Sequence, residues 1–88
     1  MNQVHAYYTG SVQGVGFRFV AKDFAQKLKL VGWVRNLTSG QVELLAEGDK
    51  KSLEKLLSDL SSHFKDQITD TNIEWGKPCK KFLDYRVK

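Results

Sequence analysis

Val4, Ala6, Tyr8, Gly10 and Val12 alternate with His5, Tyr7, Thr9 and Ser11. A two-residue period of this kind gives a strand one inward and one outward face, and it predicts β1 over residues 4–12. Beyond a glycine-broken turn, Phe17, Val20, Ala21, Phe24, Ala25 and Leu28 recur at spacings of 3, 1, 3, 1 and 3, the apolar stripe of a helix packed on one side, α1. Gly32–Asn36 and Gln41–Glu47 read as strands β2 and β3, joined by Leu37–Gly40, a short polar link ending in glycine that suits a hairpin. Asp49 can cap a second helix, α2, whose stripe is Leu53, Leu56, Leu57, Leu60 and Phe64. Asn72–Trp75 and Phe82–Val87 carry weaker strand patterns, β4 and β5, on either side of a turn with Gly76 and Pro78. No internal repeat and no low-complexity segment interrupts this order.

The order βαββαβ with a short extra C-terminal strand is that of the ferredoxin-like split βαβ arrangement. This α+β architecture has a mixed, largely antiparallel sheet and both helices on one face. Right-handed crossovers leave a gap between β1 and β2 that β3 fills, so β1 and β2 run parallel. Their C-terminal ends then open at one edge of the sheet, about two strand spacings or roughly 10 Å apart. Residues after β1 can therefore act together with residues ending β2. A chain of 88 residues has room for one such domain, spanning residues 1–88.

Composition narrows the setting. With 41% hydrophobic and 27% charged residues the chain is an ordinary globular one. No apolar run approaches the ~18 residues of a membrane span, and no cationic segment leads into an apolar stretch at the start. Cys79 has no second cysteine to pair with. A cytoplasmic protein with no membrane partner is expected. The net charge of +4 could suggest a nucleic-acid binder, but its distribution argues otherwise. Five of the fourteen basic residues and one of the ten acids lie in residues 77–88, which leaves nine of each in residues 1–76. The excess reads as a solvated edge strand. An RNA-binding sheet of this topology should also carry an aromatic-rich run on β3, whereas Gln41–Glu47 has two acids and no aromatic residue. No nucleic-acid partner is expected, and a monomer is.

The chemistry concentrates between β1 and α1, in Gly10-Ser-Val-Gln-Gly-Val-Gly-Phe-Arg18. Closely spaced glycines admit left-handed conformations that turn successive N–H groups into one concavity, and α1 begins there with its own unpaired N–H groups and positive dipole end. Arg18 stands in the first helical turn, where a positive charge is unfavourable unless an anion compensates it. A phosphate meets both conditions. A dinucleotide fingerprint starting at Gly14 requires Gly or Ala at position 19 and meets Phe19. A Walker loop starting at Gly10 requires Gly at 15 and meets Val15. Cys79 and Arg86 are separated by six residues, one too many for the Cys-x5-Arg spelling of cysteine phosphatases.

Val12-Gln-Gly-Val-Gly-Phe-Arg18, followed by Gly32-Trp-Val-Arg-Asn36-x-x-x-Gly40-x-Val42 and Glu47-Gly48, resembles both signature blocks of the acylphosphatase family at the right separation. The resemblance covers residues 10–48. It implies that Arg18 and the backbone of Gln13, Gly14, Val15, Gly16 and Phe17 bind a substrate phosphate, and that Asn36 orients the attacking water. It also implies hydrolysis of small acyl phosphates to a carboxylate and inorganic phosphate, the latter being product and competitor. Three positions depart from the family's pattern: Tyr8 replaces an aliphatic residue, Ser11 stands where bacterial members often carry Arg, and no Gly-Pro follows α2.

The residue types fit that reaction. Attack on the phosphorus of a mixed anhydride expels a carboxylate whose conjugate acid lies near the reference carboxyl pKa of about 4.3, so no general acid is required. A loose transition state asks little of its nucleophile, and an amide side chain that places a water can stand in for a general base. Backbone N–H groups and Arg18 carry the remaining task of stabilising charge on the equatorial oxygens. No cofactor and no metal is expected. His5 and His63 lie far apart in the chain without further metal-type ligands. The helical leucine and phenylalanine stripes are core, Trp33 and Trp75 are packing or rim residues, and Asn36-Leu-Thr38 is a sequon by coincidence. A non-catalytic phosphate- or RNA-binding module of the same fold is the alternative.

Overall fold

The structure, a computed structural model, describes residues 1–88. Strand β1 spans Asn2–Gly10, α1 Phe17–Lys27, β2 Val31–Asn36, β3 Val42–Gly48, α2 Lys50–His63, β4 Ile68–Gly76 and β5 Tyr85–Val87. The sheet order is β4-β1-β3-β2-β5. β3 is antiparallel to both β1 and β2, which makes those two parallel, and β5 adds parallel to β2. This is the ferredoxin-like arrangement with one extra strand, as the order of elements predicts.

Val4, Ala6 and Tyr8 of β1 face the helices and are fully buried. They meet Phe17, Ala21 and Ala25 of α1 and Leu53, Leu56 and Leu60 of α2 in one core cluster. The Asp49 carboxylate accepts from the Ser52 N–H and caps α2. Gly16, at φ 80°, takes the corresponding position before α1, which therefore starts with no side-chain cap.

Three strands differ from the predicted ones by more than one residue. β1 stops at Gly10, because the register with β4 slips between Thr9 and Gly10 and Ser11 N–H donates to Gln67 O at 2.9 Å. Val12 leaves the strand yet stays buried. β4 runs for nine residues instead of four, since backbone pairing with residues 3–10 of β1 defines this edge strand and its largely exposed side chains need no alternation. β5 keeps only three residues of the predicted six.

The central strand β3 is buried along its whole length, including two glutamates. On the face away from the helices Glu43 lies between Tyr7 and Arg35 in register. Its carboxylate accepts from Arg35 Nε at 2.6 Å and from Tyr7 OH at 3.1 Å, and it pairs with His5 Nε2 at 2.6 Å. Burial pushes this carboxyl up, and the bonds from Arg35, His5 and Tyr7 more than offset that and hold it below the usual range. Glu47 accepts from Gln3 Nε2 at 2.7 Å, from Cys79 N–H at 2.7 Å and from Lys80 N–H at 3.1 Å. Those bonds likewise outweigh its burial. They pin the irregular strap of residues 77–84 that leads from β4 to β5.

Two stability effects follow from these buried polar groups. A glutamate held below its unfolded value contributes stability that is full above about pH 4.3 and is lost as pH falls through the folded value. Glu47→Gln presents an amide N–H₂ to the donors around it and is expected to cost about 2 kcal/mol at neutral pH, with a shallower acid limb than the parent. Melting curves between pH 7 and 2 measure both, and an unchanged melting temperature at pH 7 would count against the strap contact. Conversely, the Tyr8 hydroxyl is buried without a hydrogen-bond partner. Tyr8→Phe removes an unpaired polar group, so it is expected to raise stability by about 1 kcal/mol, a gain of several degrees in melting temperature for a domain of this size.

Candidate active site

The loop between β1 and α1 owes its shape to two glycines. Gly14 and Gly16 both sit at φ 80°, in the left-handed region, and no neighbouring atom lies within 4 Å of a Cβ built on either. Backbone conformation, rather than crowding, is what selects glycine here. From Gln13 through Phe19 no backbone N–H donates to an acceptor within the chain. Val20 N–H, bonded to Gly16 O at 3.0 Å, is the first donor that α1 satisfies. Consecutive free donors at the positive end of a helix dipole are the arrangement that suits an anion.

Phe17 ties this loop to the core. Its backbone belongs to the concavity, while its ring packs 4.9 Å from that of Tyr8 and 4.7 Å from that of Phe64, centre to centre. Asn36, the last residue of β2, comes from the strand parallel to β1 on the far side of β3 and is exposed. Gly14, Gly16, Phe17, Arg18 and Asn36 line one cleft of about 220 Å³ together with Val12 and Phe19. The sequence-predicted side chains Arg18 and Asn36 thus share a single opening, at the edge where β1 and β2 end. Val15, expected to contribute its backbone, has an exposed side chain on the same loop.

Three features of the site lie outside the sequence-based expectations. The Gln13 side chain spans from the loop to the β2–β3 hairpin, donating from Nε2 to Leu37 O at 2.7 Å and to Gln41 O at 2.9 Å. Gln41 O also accepts from Leu37 N–H at 2.8 Å, which closes the hairpin, and Gln41 Nε2 donates to Thr9 Oγ1 at 3.1 Å. Loop and hairpin are therefore cross-linked at the rung next to Asn36, on the hairpin-tip side. Arg18 Nη1 donates to Lys88 O at 2.9 Å, a contact across 70 residues of chain that no local pattern signals. Lys88, expected among the solvated residues of the basic C-terminal segment, also sets its Nζ 5.0 Å from the centre of the Trp33 ring. The third is Phe19, which the helical stripe leaves out.

A second hollow of about 270 Å³ lies along β5, lined by Trp33, Phe82, Leu83 and cationic residues. It contains neither Arg18 nor Asn36, and its one acid, Asp84, is paired with Arg86 at 3.0 Å. No three His, Cys, Asp or Glu side chains stand close enough to hold a metal ion, and no helix is long and apolar enough to cross a membrane.

A family model described as Acylphosphatase matches residues 4–87. The acylphosphatase of Roseiflexus sp. strain RS-1 is 37% identical over 81 residues, covering 89% of this chain and 85% of the relative. That of Salinibacter ruber is 37% identical over 87 residues, covering 98% and 92%. The crystal structure of acylphosphatase from Bacillus subtilis superposes with a TM-score of 0.91 at 30% identity, over 100% of this chain and 99% of that one. The match extends well past the two signature blocks into β4 and β5, and with the fold and the cleft it places the chain in the acylphosphatase family, an enzyme family whose activity is acyl phosphate hydrolysis.

Proposed function

We propose that the cleft between the β1–α1 loop and Asn36 hydrolyses acyl phosphates, with Arg18 and the Gln13–Phe17 backbone holding the phosphoryl group and Asn36 placing the attacking water. The observation that carries this reading is the run of unpartnered backbone donors from Gln13 to Phe19, of which Gly14, Gly16, Phe17, Arg18 and Phe19 line one cleft that also holds the Arg18 guanidinium and the Asn36 amide. The donors match the equatorial oxygens of a phosphoryl group, where charge accumulates in a loose transition state. Water oxygen bonds to phosphorus as the bond to the acyl oxygen breaks. The carboxylate leaves without a proton, and the second water proton passes to a phosphoryl oxygen.

Arg18 has one guanidinium nitrogen engaged by Lys88 O, which fixes the side chain while leaving other N–H groups for an anion. That restraint lowers the ordering cost of binding. Asn36 has a different task, because it acts on the water and not on the phosphate. Gln13 supports both by holding loop and hairpin at a set separation.

The roles separate in kinetics. Arg18 touches the phosphoryl group in ground and transition states, so Arg18→Ala should weaken competitive inhibition by inorganic phosphate as well as turnover. Arg18→Lys should restore little of either, since an ammonium lacks the planar two-pronged contact. Asn36→Ala should lower kcat by about 10² while inhibition by phosphate stays within a few-fold of the parent. A stable Asn36→Ala protein with normal kcat would refute the water-placing role. If the asparagine served only the hairpin, melting temperature would fall and low-temperature turnover would persist. Gln13→Ala should lower kcat by about tenfold through misplacement of Asn36 relative to the loop, again with little change in phosphate inhibition. Measuring kcat, the phosphate inhibition constant and the melting temperature on all four variants checks each assignment.

A further inference from the structure

Phe19 is an anomaly in α1. The residues of that helix that enter the core are Phe17, Ala21 and Ala25, with Val20, Phe24 and Leu28 packed beside them. Two residues beyond Phe17, at 100° per residue, Phe19 points away from that face. It is 67% exposed, although it is one of the chain's five phenylalanines and the other helical ones serve the core. Helical side chains lean back toward the N-terminus, so the ring of a first-turn residue lies over the turn before it. Here that turn is the anion-binding loop, and Phe19 lines the same cleft as Arg18 and Asn36. Val15, 42% exposed, stands on that loop.

The cleft itself holds about 220 Å³, below the roughly 300–1,000 Å³ that encloses a drug-sized ligand. A phosphoryl group seated on the backbone donors takes up its floor, and an acyl group larger than acetyl extends over the rim. Apart from Arg18, the lining carries no charge: Val12, Phe17, Phe19 and the two glycines are apolar and Asn36 is neutral. With Arg18 engaged by the phosphate, a charged acyl group would find no further counter-ion in the lining, whereas a planar or extended apolar one can lie against the exposed ring.

Resting on the acyl phosphate reading above, we infer that Phe19 is the acyl-side specificity residue of this cleft, a ring against which the substrate's acyl group packs, and that the preferred substrates carry uncharged aryl or bulky apolar acyl groups. The ring adds dispersion and aromatic contact to a substrate already anchored by its phosphate.

The test is the ratio of kcat/KM for benzoyl phosphate to that for acetyl phosphate, which is insensitive to the fraction of folded protein. The parent protein should favour benzoyl phosphate. In Phe19→Ser the ratio should fall about tenfold, the scale of one aromatic contact with the area it covers, and in Phe19→Leu it should fall less. A ratio that is the same in the parent and both variants overturns the inference while leaving the hydrolytic reading intact. A parent protein that hydrolyses neither compound overturns both.

Discussion

Phe17 is the residue on which the site depends, because its backbone and its side chain belong to different parts of the molecule. The N–H belongs to the row of free donors, and the ring is wedged between Tyr8 of β1 and Phe64 beyond the end of α2. A loop containing two left-handed glycines has little conformational preference of its own. Fastening its last residue into the close-packed core converts that freedom into a single arrangement. The free donors are thereby held in a fixed arrangement, the condition under which such groups stabilise a charge most effectively.

The opposite face of the sheet supports the same site by a longer route. Glu47 accepts from the backbone of Cys79 and Lys80 and so fixes the strap that delivers β5 to β2. Gly32 N–H then donates to Asp84 O at 2.9 Å and Lys88 N–H to Val34 O at 2.8 Å, which sets Lys88 O against Arg18. A carboxylate on one side of β3 thus helps to orient a guanidinium on the helix-covered side. Glu43 and its three partners have a different effect. They cover the middle of β3 with hydrogen-bonded polar groups, so that a central strand carrying two acids remains buried with its charges compensated. An isolated glutamate at either position would be expelled to water or protonated.

Tyr8 shows where the local rules stop. The alternation that predicts β1 requires an inward residue at that position, and an aromatic ring satisfies it. Alternation says nothing about the hydroxyl, which ends up unpaired in the core, while the Tyr85 hydroxyl in the same cluster donates to Trp33 O at 3.1 Å. Whether a buried oxygen finds an acceptor depends on which carbonyls the sheet leaves free nearby. β4 fails in the opposite sense: Ile68–Gly76 carries too little alternation for a strand to be read over its length, and only the open edge of β1 recruits it.

The elements that were legible from the chain alone are those whose information is local. The periodicities of α1, α2 and β1, the Asp49 cap and the hairpin glycine each express the energetics of a few neighbouring residues, and together with the handedness of crossovers they suffice for the fold and for bringing the ends of β1 and β2 to one edge. The left-handed glycines of residues 14–16 and the uncapped start of α1 were legible in the same way, because backbone conformation and unpaired N–H groups are properties of the segment itself. The Gln13 strut, the seat of Arg18 on Lys88 O, the turn of Phe19 toward the cleft and the Glu47 clasp on the strap were decided only in the folded chain. Each joins groups distant in sequence or depends on which face the sheet leaves uncovered, and no spacing along the chain encodes such a distance.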